Sequence, residues 1–246
     1  MITLREVSPL PPPGLNKKRI LEETEQILHA LEELQNRLYA ANQRSLLIVL
    51  QGLDASGKDG LIRHLFKAFS PMGCQIAAFK KPTQEELAHD FLWRIHKHTP
   101  QKGMIQIFNR SHYEDVLVPR VHGLLNADAI KRRYRHINNF EQLLVDHGTV
   151  VLKFYLHISP EEQMKRLKER LTNPSKNWKY DSRDLKERQH WNAYMQAYED
   201  IFEQCSANIP WHIVPSDKNW YKEYLVSQII AQTLQSLNLQ YPVLQV

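Results

Sequence analysis

Three groups of residues have the types and spacing to handle phosphate. The first is Gly52-Leu53-Asp54-Ala55-Ser56-Gly57-Lys58-Asp59. Gly52-x-x-x-x-Gly57-Lys58 matches a phosphate-loop pattern through its lysine. The two glycines let the backbone turn its N–H groups inward, with Ala55 and Ser56 completing an anion nest. Lys58 adds a full, mobile charge for phosphate oxygens. Two positions depart from the common pattern. Asp59 stands where a Ser or Thr hydroxyl usually ligates magnesium. It counts among the loop's phosphate-binding candidates, and stabilising the helix start is favoured over metal ligation for its carboxylate. Asp54 puts a bare carboxylate among phosphates, which repel it unless it holds a divalent cation. Magnesium suits such oxygen ligands, with manganese as the alternative.

The second group is Phe108-Asn109-Arg110-Ser111-His112-Tyr113-Glu114-Asp115. Arg110 can bind phosphoryl oxygens and stabilise migrating charge. Asn109 can orient a phosphate or a metal-bound water. Glu114 and Asp115 can ligate metal, recognise an acceptor nucleotide, or pair with arginines. Arg120 follows about two helical turns after His112 and is expected to face the same cleft. Capping by Asn109 or Ser111 is the plain alternative, but it leaves Arg110 unexplained. His112 is expected to pack or hydrogen-bond, without a base role.

The third group is a basic segment at about 165–190, from Lys165 to Arg188. Turn residues from Leu171 to Tyr180 break it. A cationic helix–loop–helix of this kind resembles the lid of nucleotide kinases. Interspersed acids allow a solvated, salt-bridged face instead. Arg170, Lys179, Arg183 and Arg188 flank the break and are the ligand candidates, with Lys80 and Lys81 extending a phosphate track.

Five short runs read as buried parallel strands that would position these groups: Leu46–Gln51, Cys74–Phe79, Met104–Phe108, Val150–His157 and Trp211–Val214. Helical patterns separate them: Gly60–Phe69, Gln84–His98, Ala127–Asp146, Pro160–Leu171, Leu185–Ala207 and Trp220–Leu237. Thr83 with Glu86 predicts a capping box, and Ser159-Pro160-Glu161-Glu162 a helix start. The alternation implies a three-layer α/β/α domain over residues 17–246, with ligands at the C-terminal strand ends. Residues 1–16, with Pro9, Pro11, Pro12 and Pro13, read as a proline-rich arm. A leading helix through Ile20, Leu28 and Leu38 is expected to pack on the domain or on a second subunit.

The chain has 246 residues, enough for one α/β domain. No apolar run is long enough to cross a membrane, and no secretory pattern opens the sequence. Cys74 and Cys205 have no CxxC partner, which argues against zinc or a disulfide scaffold and for a reducing cytoplasm. Net charge +5 favours polyanionic partners without choosing among them.

The loop GLDASGKD, the segment FNRSHYEDVLVPRV and the segment NWKYDSRDLKER together resemble the family-2 polyphosphate kinases, in order and spacing, from about Lys17 to Leu237. The resemblance implies a thymidylate-kinase-like P-loop core with a helical lid. It also implies reversible, magnesium-dependent transfer between inorganic polyphosphate and a nucleotide. Asp54 and Lys58 match the loop's metal and phosphate residues, and Arg110 the arginine of the second signature. Many members read Asp-Arg-Ser-Trp there; Asn109 and His112 replace the acid and the tryptophan, which argues against a metal ligand at Asn109. The chain is similar to the subgroup accepting both nucleoside mono- and diphosphates, such as AMP, ADP and their guanine counterparts, in which Glu114 lies near the acceptor. The family suggests a homo-oligomer, dimer or tetramer. Neither a nucleic-acid nor a membrane partner is expected. Two rivals stay open at this point: an ATP-dependent nucleoside or nucleotide kinase, and a P-loop protein that binds nucleic acid without catalysis.

Overall fold

The computed structural model describes residues 2–244; Met1, Gln245 and Val246, at the ends of the expected arm and domain, lie outside the described residues. In chain order the elements are α1 (Lys17–Ala41), β1 (Ser45–Gln51), α2 (Lys58–Leu65), β2 (Cys74–Ala78), α3 (Gln84–Ala88), α4 (Trp93–His96), β3 (Ile105–Asn109), α5 (Glu114–Val121), α6 (Ala127–Asp146), β4 (Thr149–His157), α7 (Pro160–Thr172), α8 (Ser182–Glu187), α9 (Trp191–Gln204), β5 (Trp211–Pro215) and α10 (Asn219–Ser236). The five strands pair in the order β2-β3-β1-β4-β5, and every pairing is parallel.

Parallel sheets need cover on both faces, so the central strand is apolar throughout. In β1, Leu46, Ile48 and Leu50 pack with Leu31, Leu61, Leu65 and Ile230 of α1, α2 and α10. Leu47 and Val49 pack with Tyr113, Ile137, Phe140, Tyr198 and Ile201, largely from α6 and α9. The result is the expected three-layer α/β/α P-loop kinase fold. The leading helix α1 packs against α10 of the same chain. Among the described residues, no helix is long and apolar enough to cross a membrane.

Three expected helices differ from the observed ones. The run Gln84–His98 is not continuous. Thr83 and Glu86 form the capping box, but His89 turns extended and Asp90 accepts a hydrogen bond from the Leu92 amide at 2.9 Å. That local bond competes with the helical ladder and splits the run into α3 and α4. The run Leu185–Ala207 starts earlier, at Ser182, capped by Asp181, and passes through a 3-10 turn at Arg188–His190 before α9 begins. The α2 helix also ends at Leu65, and a turn carries the chain to Phe69.

Residues of the proline-rich segment lie on the domain. Leu4 is buried, its amide donates to Glu199, and the Val7 carbonyl lies 3.0 Å from His157 Nε2.

Beneath the second signature lies a buried polar network. Lys153 Nζ on β4 donates to Glu141 at 2.7 Å, to Tyr113 Oη at 3.0 Å and to the Cys205 carbonyl at 2.6 Å. Glu141 also accepts from Tyr113 Oη at 2.8 Å and lies 3.2 Å from His112 Nε2. Burial alone would raise the Glu141 pKa, but His112 and Lys153 hold it below the usual range. His112 is thus a buried hydrogen-bonding residue, as its sequence context suggested. Glu141→Gln leaves the Lys153 ammonium buried without its carboxylate, so it should destabilise the protein by about 3–5 kcal/mol in urea unfolding. The double variant Glu141→Leu with Lys153→Met should recover most of that loss.

Candidate phosphate-transfer site

Strand order explains why the first two groups meet. β1 and β3 are neighbours, with Leu50 in register with Asn109. The loop after β1 and the segment after β3 therefore leave the sheet side by side, at the carboxyl ends where ligands bind in open α/β sheets. The Arg110 amide donates to the Leu50 carbonyl at 3.0 Å, tying the two exits together.

The loop needs its glycines. Gly52 has φ +148°, and a Cβ there would stand 2.9 Å from the Leu156 carbonyl oxygen. Gly57, at φ +96°, is the N-cap of α2 and offers no side-chain cap. The first-turn N–H groups of α2 are left for a ligand, at the positive end of the helix dipole. Ala55 and Arg110 are also left-handed, both at φ +63°, a strained conformation for non-glycine residues.

Lys58 folds back over the loop. Its ammonium donates to the Gly52 carbonyl at 2.6 Å and to the Leu53 carbonyl at 3.1 Å, and reaches Ser56 Oγ at 3.5 Å. Burial, and then Arg110, push its pKa down to about 8. Neutral carbonyls replace water poorly around an ammonium, so the charge is under-compensated without an anion.

Asp54 and Arg110 face one another, Arg110 donating to Asp54 Oδ1 at 2.5 Å. Glu114 lies 3.9 Å from the same guanidinium. Burial works against the Arg110 charge, but Glu114 and Asp54 hold its pKa above the ordinary value. Burial raises the Glu114 pKa, with Arg110 and Lys58 opposing the rise. The unit is thus one of two cations and two carboxylates at the mouth of the loop.

Among the described residues no group of three or more His, Cys, Asp or Glu is placed to hold a metal alone. Asp54 still fits magnesium, which commonly takes one or two carboxylates and completes its shell with phosphate oxygens and water. Asp59 serves differently. Its carboxylate accepts from Asn109 at 3.0 Å and from Lys179 of the basic segment at 2.8 Å. Burial opposes ionisation there, yet these two donors hold the Asp59 pKa below the usual range.

The other candidates divide by partner. Arg170 is bound to Asp184 at 2.5 Å and to the Lys179 carbonyl, inside the basic segment. Arg183 is exposed and pairs with Asp181. Arg188 donates to the Pro160 carbonyl and to Gln163, both at 2.8 Å. Asp115 pairs with Arg94 at 2.9 Å, and Arg120 pairs with Asp200 and Tyr134. The side chains of Lys80 and Lys81 are exposed beyond β2.

Sequence reasoning missed three residues that hold the loop. Gln163 donates to the Asp54 carbonyl at 3.0 Å. Arg166 donates to the Ala55 and Ser56 carbonyls at 3.1 and 3.2 Å, and to the Ser216 carbonyl at 2.8 Å. Lys222 reaches the Gly57 carbonyl at 3.3 Å. Arg166 stood among the basic residues of the third group, but its spacing there gave no sign that it turns toward the loop.

Comparison with known proteins gives a consistent set. The family described as Polyphosphate kinase 2 (PPK2) matches residues 14–242. An AMP/ADP-polyphosphate phosphotransferase of Meiothermus ruber is 49% identical over 227 residues, covering 92% of this chain and 85% of the relative. An ADP-polyphosphate phosphotransferase of Rhodopseudomonas palustris is 45% identical over 225 residues, covering 86% of this chain and 78% of the relative. The crystal structure of a polyphosphate kinase 2 from Arthrobacter aurescens superposes with a TM-score of 0.96 at 44% identity, covering 100% of this chain and 89% of the other.

Proposed function

Because this chain belongs to the polyphosphate kinase 2 family, we propose that it moves the terminal phosphoryl group of inorganic polyphosphate onto AMP and ADP, and onto their guanine counterparts, reversibly. The observation that carries this reading is the convergence of Lys58, Asp54 and Arg110 at the adjoining ends of β1 and β3. Phosphoryl transfer depends on positioning and charge neutralisation more than on covalent chemistry.

In this reading the phosphate loop and Lys58 grip the end of the phosphate chain. A nucleotide phosphate oxygen attacks the terminal phosphorus in line. The bond to the next bridging oxygen breaks, and the chain leaves one phosphate shorter. The attacking oxygen is already anionic at neutral pH, so no strong base is needed. A magnesium ion at Asp54 supplies charge neutralisation to the phosphate oxygens. Asp54 would hold that ion and is engaged by Arg110 in the free protein; a guanidinium freed from Asp54 would be placed to reach the migrating group. Glu114 and Asn109 lie on the acceptor side. Residues 165–190 act as a lid, with the Lys179–Asp59 pair fastening it to the loop and excluding water. Arg170, Arg183, Arg188, Lys80 and Lys81 extend the polyphosphate track, while Asp115 and Arg120 border the nucleotide. Asp59 leaves no hydroxyl where ATP-using P-loops place one on magnesium, which favours polyphosphate over ATP as donor. The assembly is taken as a homo-oligomer.

The test is steady-state formation of ADP from AMP, and of ATP from ADP, with polyphosphate as sole donor. Product with polyphosphate supports the reading. Product with ATP and none with polyphosphate overturns it in favour of an ordinary nucleotide kinase.

A further inference from the structure

Lys222 is a buried cation for which the mechanism above has no use. It lies in the first turn of α10, with no solvent exposure. Its ammonium donates to Asn219 Oδ1 at 2.9 Å and to the Gly57 carbonyl at 3.3 Å. Among the described residues it makes no ion pair. The contrast is Lys153, equally buried, which has the Glu141 carboxylate at 2.7 Å.

An ammonium buried among neutral oxygens is costly unless something compensates it. Burial, and then Arg166, push the Lys222 pKa down to about 8. Arg166 and Lys58 add repulsion, which the adjacent Glu223 carboxylate opposes without forming an ion pair with Lys222. Arg166 spends its donors on the Ala55, Ser56, Ser216 and Asp217 carbonyls. A Cβ built on Gly57 would collide with Lys222 Nζ and stand 3.4 Å from Arg166. Lys58, Lys222 and Arg166 thus surround the last turn of the loop, and Glu162 is the acid that pairs with Arg166.

We propose that Lys222 is a positioning residue of the phosphate loop, which fixes the Gly57 carbonyl from behind and adds a buried positive charge that a bound phosphate chain compensates. With that carbonyl held outward, the amides of the turn stay directed at the ligand. The charge acts through the loop, without touching the phosphates. This inference rests on the reading that the loop grips a phosphate chain.

The experiment is calorimetric titration of tripolyphosphate into the 246-residue protein without added metal, for the wild type, Lys222→Met and Lys222→Gln. Thermal unfolding is followed in parallel. Removing the buried ammonium relieves its desolvation cost, which offsets the two hydrogen bonds lost to Asn219 and Gly57. Lys222→Met should therefore melt no lower than the wild type, while its Kd for tripolyphosphate rises about tenfold, the scale of one lost charged interaction. Lys222→Gln keeps a donor for Gly57 without the charge. It should also bind more weakly, and it carries the test if the methionine variant misfolds. The KM for AMP should stay unchanged in both. Wild-type affinity in both folded variants overturns the proposal, as does a weakening that tracks a fall in melting temperature. If the wild type itself does not bind tripolyphosphate, the loop reading fails, which is a separate outcome.

Discussion

Lys58→Ala lowers kcat/KM with polyphosphate by roughly a thousandfold, the scale of one preorganised charged donor at a reacting centre, while circular dichroism and thermal unfolding stay close to wild type. The expectation comes from where the side chain sits. Lys58 is the first residue of α2, and its ammonium rests on the Gly52 and Leu53 carbonyls, poised over the anion nest. These are contacts a phosphate oxygen can exchange for. The pKa near 8 means the charge is not comfortable in the free protein, so its removal relieves a desolvation cost. A sign follows for stability. Lys58 and Lys222 both lie near 8 in the folded protein, below the ordinary 10.5. The unfolded chain therefore binds these protons more tightly, and their contribution to stability rises as pH climbs from about 8 toward 10.5. Lys58→Ala should lose its share of that rise. A non-enzymatic phosphate-loop protein would keep its function in this variant, and retained turnover would sink the catalytic role of Lys58.

The parts of the site readable from sequence are those written in local spacing. Gly52, Gly57 and Lys58 lie within seven residues, and their roles follow from backbone geometry that only a strand-to-helix turn allows. The five strands were visible because parallel strands covered on both faces leave unbroken apolar runs such as Leu46–Leu50. What was not readable is the support behind the loop. Gln163, Arg166 and Lys222 come from helices more than a hundred residues away along the chain, so no local pattern ties them to residues 52–59. On a helix, a cation aimed at a carbonyl and one aimed at water look alike in sequence. The split between α3 and α4 was missed for the opposite reason. It turns on one side-chain bond, from the Leu92 amide to Asp90, which outcompetes an otherwise helical composition. Asp59 was half legible. Its role at the start of α2 was expected, but its pairing with Lys179 joins two segments whose contact only the folded chain reveals.

Arg110→Ala reduces kcat by on the order of a thousandfold or more, the range that a charge-stabilising arginine supplies in phosphoryl transfer. Arg110→Lys recovers only a small part, because an ammonium lacks the planar fork that spans two oxygens. The backbone sets this residue apart before any substrate arrives: it holds φ +63° directly after β3, with its amide on Leu50. Its side chain lies between Asp54 and Glu114, at 2.5 and 3.9 Å. In the free protein the guanidinium therefore occupies the carboxylate that a cation would need. Removing it has two opposed consequences that a single steady-state series can separate. The maximal rate collapses, because the migrating group loses its nearest positive fork. The magnesium concentration giving half of the residual rate does not rise and should fall, since Asp54 no longer has to be released from its partner. A rise in the magnesium requirement would show that Arg110 helps build the cation site and would rule out its competition with the cation for Asp54. Near-normal kcat with a raised KM for AMP would instead make Arg110 an acceptor-binding residue.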